Sequence, residues 1–256
     1  MPFTIILKGA ETMKILAIGN SFSQDATTYL HQAAAAQGIA LEAVNLYIGG
    51  CSLETHWRNW VNDEAAYELQ LNGEPTGEKA SIRQMLREGG WDAIATQQAS
   101  HDSGWRDTYE PFLGHLVQAL RREAPGASLF LQETWAYEKD SDHWAFLRYH
   151  QDQKEMYDRL RDNYAAEAVA HSLTLIPCGD VIQRLRALPP FDVSNDGLSL
   201  CRDGYHMSLS YGRYTLALVW LKTLCGVSVA GNPYIPENGG PTAEPLLRLI
   251  RREADQ

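Results

Sequence analysis

Lys14-Ile15-Leu16-Ala17-Ile18-Gly19-Asn20-Ser21-Phe22-Ser23 decides how the rest of the chain is read. Its first five residues are apolar but for Lys14, which reads as a strand buried on both faces. The run stops on Gly19-Asn20-Ser21 and passes into an alanine-rich helical pattern, predicted over Asp25 to Gln37 and closed by Gly38. A serine between a strand end and a helix start sits where open α/β sheets bind ligands. It also lies beside unpaired backbone N–H groups that can stabilise an oxyanion. Ser21 is therefore a candidate nucleophile, and the remaining sequence can be searched for its base and its pocket.

Working outward, apolar runs alternate with helical patterns. Leu41 to Ile48, Trp91 to Thr96, Ser128 to Glu133 and Leu173 to Pro177 are predicted strands. Helices are predicted over Thr108 to Glu123, Asp142 to Ala170, Asp180 to Leu188, Ser210 to Leu224 and Ala243 to Arg252. This alternation implies an α/β fold of βαβ units, with a parallel sheet of about five strands and helices on both faces. No linker or repeat divides the 256 residues, which are expected to form one domain. Residues 1–12 read as an extension preceding Met13-Lys14, residues 61–90 as an insertion with a hairpin turn at Asn72-Gly73, and residues 227–256 as a tail carrying a helix.

Composition narrows the partners. A formal net charge of −10 argues against a nucleic-acid or anionic-membrane binder, both of which need a cationic face. No stretch approaches the roughly 20 apolar residues of a membrane span. No secretory signal is visible, so the cytoplasm is the expected address, with a removed export signal left open. Cys51, Cys178, Cys201 and Cys225 form no C-x-x-C pair and read as buried thiols. The substrate is expected to be a small-molecule or oligosaccharide ester; the oligomeric state is not readable.

All strand C-termini of a parallel sheet share one rim, so Ser21, Gly49-Gly50, Gln97-Gln98 and Trp135 should meet there. A nucleophilic serine needs a base and a group that orients the base. Asp203 and His206, three residues apart in a loop before a helix, can supply them, with the carboxylate on Nδ1 and Nε2 toward the serine. Alone, such a spacing is weak evidence.

Taken together, the blocks resemble the SGNH, or GDSL-like, hydrolase superfamily. Gly19-Asn20-Ser21-Phe22-Ser23 stands in place of the commoner Gly-Asp-Ser, followed by Asn45-Leu46-Tyr47-Ile48-Gly49-Gly50-Cys51-Ser52 and, near the C-terminus, Asp203-Gly204-Tyr205-His206. The third block departs: Thr96-Gln97-Gln98-Ala99-Ser100 stands where the family usually has Gly-x-Asn-Asp. A glutamine amide donates the same hydrogen bond one methylene further out. The glutamine-type block, with Trp135-Ala136-Tyr137, resembles a carbohydrate-esterase-like branch.

The resemblance implies a three-layer α/β/α sandwich, flavodoxin-like in type, and an ester hydrolase that works through an acyl-serine, without metal or cofactor. Ser21 is then the nucleophile, His206 the base and Asp203 its orienting carboxylate. The Ser21 and Gly50 backbone N–H groups and the Gln97 amide form the oxyanion hole, with Gln98 the alternative to Gln97. A small acyl group, acetyl above all, on a carbohydrate is the expected substrate. A lipid or thioester hydrolase and an inactive carbohydrate-binding member are the alternatives. His56, Trp57, Trp135 and Tyr205 are candidate substrate contacts, although a pair such as His56 and Trp57 is more often packing and an aromatic such as Trp135 near a sheet rim is as often core. His101, Asp102 and Ser103 read either as the mouth of the site or as a solvated loop. The spacing of His101, Asp102, Asp142, His143, His150 and Asp152 fits no metal-ligand set, and Arg248, Arg251 and Arg252 read as a solvated helix face.

Overall fold

The computed structural model describes residues 12–237 and 239–256. Nearly all of the expected extension, residues 1–11, lies outside the described residues. The apolar runs form β1 (Met13–Gly19), β2 (Leu41–Tyr47), β5 (Ala93–Thr96), β6 (Ser128–Gln132) and β7 (Thr174–Ile176), which pair in parallel. The sheet is larger than the five strands expected. β3 (Tyr67–Leu71) and β4 (Glu74–Ala80) join antiparallel at the β2 edge, giving seven strands in the order β4-β3-β2-β1-β5-β6-β7. The insertion is thus part of the sheet, and a short helix, α4 (Ile82–Glu88), returns the chain to β5.

The parallel part runs β2-β1-β5-β6-β7, so the order reverses between β1 and β5. Ligands bind at such a switch point, outside the strand C-termini. Right-handed crossovers put the helices that follow β1 on one face and those between β2 and β7 on the other. On the first face α1 (Ser21–Thr27) and α2 (Leu30–Ala36) pack on α8 (Tyr211–Cys225), an apolar helix buried on nearly every side. Opposite, α3 (Leu53–Asn62) packs on α5 (Phe112–Glu123). α6 (Gln153–Ala170), α7 (Cys178–Arg186) and α9 (Glu244–Ala254) complete the layers.

Several boundaries move for local reasons. The first helix starts at Ser21 rather than Asp25, because the Asn20 side chain caps it by accepting from Phe22 N–H. The long helix predicted from Asp142 starts at Gln153, where Asp152 caps it; before it lies a 3₁₀ turn, Trp144–Tyr149. On α9, Arg251 is not solvated: it is buried and donates to Tyr214 Oη at 2.8 Å and to Glu244 Oε1 at 2.9 Å. All four cysteines are free and buried. Among the described residues no helix is long and apolar enough to cross a membrane.

Gly19 allows the β1–α1 turn to close. A Cβ there would lie 2.4 Å from Ser23 Oγ and 2.6 Å from Ser23 Cβ. Ser23 cannot yield easily, because its hydroxyl lies 2.8 Å from both Asn20 O and Asn45 Oδ1. From Asn45 a buried chain of side-chain bonds continues through Gln70 to Glu68, tying the hairpin to α1. Gly19→Ala is therefore expected to destabilise by about 2–3 kcal/mol, the usual cost of overpacking, and to lower Tm by roughly 4–10 °C. Calorimetry checks this; an unchanged Tm would show that the turn relaxes freely.

Candidate active site

Ser21 is the first residue of α1, so its backbone N–H and those just after it belong to the open end of a helix. Asn20 fixes this turn. Its Oδ1 accepts from Phe22 N at 3.0 Å and from Gln97 Nε2 at 2.7 Å, and its Nδ2 donates to Cys51 O at 2.9 Å. One buried amide thus joins the segments that follow β1, β2 and β5. An aspartate could accept both bonds but could not donate to the Cys51 carbonyl, which gives a physical reason for asparagine before Ser21.

The loop that precedes α8 brings in the other two groups. His206 Nε2 lies 2.8 Å from Ser21 Oγ, and His206 Nδ1 lies 2.7 Å from Asp203 Oδ2. Since the carboxylate can only accept, Nδ1 carries the proton and Nε2 presents a lone pair to the serine hydroxyl. Asp203 Oδ1 accepts from the backbone N–H of His206 at 2.7 Å and of Tyr205 at 3.2 Å, folding the loop around its own carboxylate. Partial burial raises the Asp203 pKa, but hydrogen bonding and electrostatic attraction to the His206 ring, with the His206 and Tyr205 amides, outweigh it and hold the carboxyl below its ordinary value.

Two anchors place this loop over Ser21. Trp135 is fully buried, stacks on Phe22 with centroids 4.0 Å apart, and donates from Nε1 to Tyr205 O at 2.7 Å. Asp25, also fully buried, accepts from Arg202 Nη1 at 3.0 and 3.2 Å, Arg213 Nε at 2.8 Å and Met207 N at 2.8 Å. Arg202 closes the loop by donating to Met207 O as well. Asp25 thereby holds both flanks of the Asp203–His206 pair from the helix that carries Ser21. Sequence reasoning missed it, although Asp25 is one helical turn after Ser21 and so on the same face.

The remaining expected residues divide. Gly50 is exposed at φ +64°. Gln97 is buried, with one amide hydrogen on Asn20 Oδ1; an oxyanion role rests on the other. Gln98 is turned away: its Oε1 accepts from Leu53 N at 2.9 Å and Ala99 N at 2.8 Å, and its Nε2 donates to Thr108 O at 2.8 Å and to Thr108 Oγ1 at 3.1 Å, which uses both amide hydrogens. It ties α3 to the loop before α5 and has no hydrogen left for an oxyanion hole in that arrangement.

Among the candidate substrate contacts, only Tyr205 keeps a place beside His206, at 4.2 Å between ring centroids. Trp135 is a buried support, not a stacking surface. His56 is fully buried, with Nδ1 2.9 Å from Tyr67 Oη, and burial pushes its imidazole down to about 3. Trp57 packs on His115 of α5, 4.9 Å between centroids. At the proposed mouth, Ser103 is buried and Asp102 accepts from Arg148 at 2.8 Å, whereas His101 is half-buried against Trp144. Three donors within 4.8 Å of one another, on Glu110, Glu167 and His171, could bridge a cation, but Arg106 already lies 3.4 Å from Glu167 and His171 2.5 Å from Glu110.

The fold is similar to that of solved SGNH, or GDSL-like, hydrolases. A candidate SGNH hydrolase from Slackia heliotrinireducens is 22% identical over 83% of this chain and 99% of its own, with a TM-score of 0.57. An acetylxylan esterase from Geobacillus stearothermophilus is 14% identical over 88% and 96%, also at 0.57. At such identities the likeness extends to the fold.

The chain belongs to the DUF4886 family, described as a domain of unknown function, whose profile matches residues 14–250. A DUF4886 protein of known structure from Bacteroides uniformis is 37% identical over 96% of this chain and 94% of its own, with a TM-score of 0.87. No curated protein matches the sequence.

Proposed function

We propose that this protein is a serine esterase that removes a small acyl group, acetyl above all, from a carbohydrate. The observation that carries the reading is the relay Ser21 Oγ–His206 Nε2 at 2.8 Å and His206 Nδ1–Asp203 Oδ2 at 2.7 Å, set at the sheet's switch point. Ser21 Oγ attacks the ester carbonyl as its proton passes to His206 Nε2. The bond between the former carbonyl carbon and the alkoxy oxygen then breaks, leaving an acyl-serine, as His206 passes the proton to the departing alcohol oxygen. Water, deprotonated by the same nitrogen, releases the acid and restores Ser21. Asp203 keeps Nδ1–H in place and stabilises the imidazolium. The oxyanion is held by the Ser21 and Gly50 backbone N–H groups with the second Gln97 amide hydrogen, each such donor being worth about 3–4 kcal/mol of transition-state stabilisation. The acetylxylan esterase that shares the fold supports a sugar ester as the substrate class.

A serine-directed fluorophosphonate is expected to form one Ser21 Oγ–phosphorus bond with loss of fluoride, read by mass spectrometry, and Ser21→Ala is expected to take none. On nitrophenyl esters, acetate should be cleaved at least about tenfold faster than octanoate, since a subsite gains roughly 0.8 kcal/mol per buried methylene only where it is built to bury one. An unlabelled, inert protein would leave a carbohydrate-binding role in place of catalysis. Preference for octanoate would point to a lipid or thioester hydrolase.

A further inference from the structure

Trp135 is buried and cannot meet a substrate, but another indole can. Trp144 is 63% exposed and Leu147 67% exposed. They are three residues apart on the 3₁₀ turn Trp144–Tyr149, where side chains at i and i+3 eclipse, so they form one apolar patch. The patch is continuous with the candidate triad, ring by ring. Tyr205 lies 4.2 Å from His206, His143 lies 4.6 Å from Tyr205 in an edge-on contact, and Trp144 lies 5.7 Å from His143. His101 flanks Trp144 at 5.7 Å.

The polar groups in this stack select for a neutral ligand. His143 Nδ1 accepts from Ala145 N at 3.2 Å, which puts the ring proton on Nε2 as a donor. Burial, then the His101 and His206 rings, outweigh Asp142 and Asp203 and lower the His143 pKa, keeping that ring uncharged. The nearby cation, Arg148, is already engaged by Asp102 Oδ1 at 2.8 Å and by His101 O at 2.7 Å. Asp142 and Asp203, both exposed, would repel an anion.

We propose that Tyr205, His143, Trp144 and Leu147 form the subsite for the alcohol half of the ester, and that this alcohol is a neutral pyranose. Its C–H face lies on the indole and on Leu147, and a ring hydroxyl accepts from His143 Nε2–H. The proposal rests on the esterase reading of Ser21 for its place in catalysis, but not for its binding.

The test separates the two. Xylotetraose, cellotetraose and tetragalacturonate are titrated calorimetrically into Ser21→Ala and into Ser21→Ala/Trp144→Ala. At least one neutral oligosaccharide is expected to bind, and to bind about tenfold more weakly without the indole, the scale of one aromatic contact; tetragalacturonate is expected to bind more weakly than either. With Ser21 present and the acetylated form of the bound sugar as substrate, Trp144→Ala should raise KM about tenfold with kcat within about twofold, and Trp144→Tyr should recover most of the loss. Binding without hydrolysis would overturn the esterase reading and leave the subsite standing. No binding of either neutral sugar, binding indifferent to Trp144, or a loss confined to kcat would overturn the subsite.

Discussion

Ser21→Ala and His206→Ala are each expected to lower kcat by on the order of 10⁴-fold or more, and the double variant to be little worse than either. The reason is geometric. The hydroxyl has its proton acceptor at 2.8 Å, and that imidazole has its own proton held by Asp203 at 2.7 Å. Removing the hydroxyl leaves nothing for the base to deprotonate, and removing the base leaves an unactivated alcohol, so the second deletion has little further to destroy. The residual rate in all three should be similar and reflect the backbone donors at the start of α1. Because Asp203 is held below its ordinary value, it stays ionised and keeps its His206 pairing to a lower pH than an unpaired aspartate would. Steady-state kinetics on a soluble acetate ester measure this. Losses that multiply, so that the double variant falls by the product of the two, would show that Ser21 and His206 do not share one step.

Asp25→Ala is expected to be the most damaging change outside the candidate triad. Three donors converge on this fully buried carboxylate: Arg202, Arg213 and the Met207 amide. Removing one partner of a buried ion pair costs about 3–5 kcal/mol. Arg202 and Arg213 keep side-chain exposures of 31% and 16%, so partial hydration should place the loss near the lower figure. A fall in Tm on the order of 10 °C follows. The catalytic effect has a separate cause. Arg202 and Met207 bracket Asp203 and His206, and a shift of about 1 Å in that loop is enough to lower kcat roughly 100-fold. Asp25 touches no reacting atom, so it is a positioning residue. The readout that distinguishes it from a purely structural one is the rate of fluorophosphonate labelling in folded Asp25→Asn, which keeps the shape and one acceptor. Labelling should slow while circular dichroism stays native. Native-rate labelling in a folded, destabilised variant would reduce Asp25 to a stabilising role alone.

Much of this molecule was legible from its residues. The five parallel strands could be read because each is a short apolar run bounded by turn chemistry, signals carried by neighbouring residues. Asp203 and His206 could be proposed because three residues of loop suffice to bring a carboxylate onto Nδ1. The hairpin was anticipated from Asn72-Gly73, but its attachment was not: β3 pairs antiparallel with β2, with one buried side-chain bond from Asn45 to Gln70, a long-range pairing with weak local signature. Trp135 and His56 were expected near substrate because position along a strand end or helix start says which rim a residue is near, not whether its ring points in or out.

The sequence by itself determined the α/β alternation, the rim on which Ser21 sits and the spacing of its candidate partners, since these depend on periodicity and on short loops. Tertiary structure alone decided which groups face Ser21. Gln97 and Gln98 make the contrast plain: at a strand end adjacent side chains point to opposite sides, so one glutamine reaches Asn20 while its neighbour ties down α3, and only the register of β5 beside β1 assigns them.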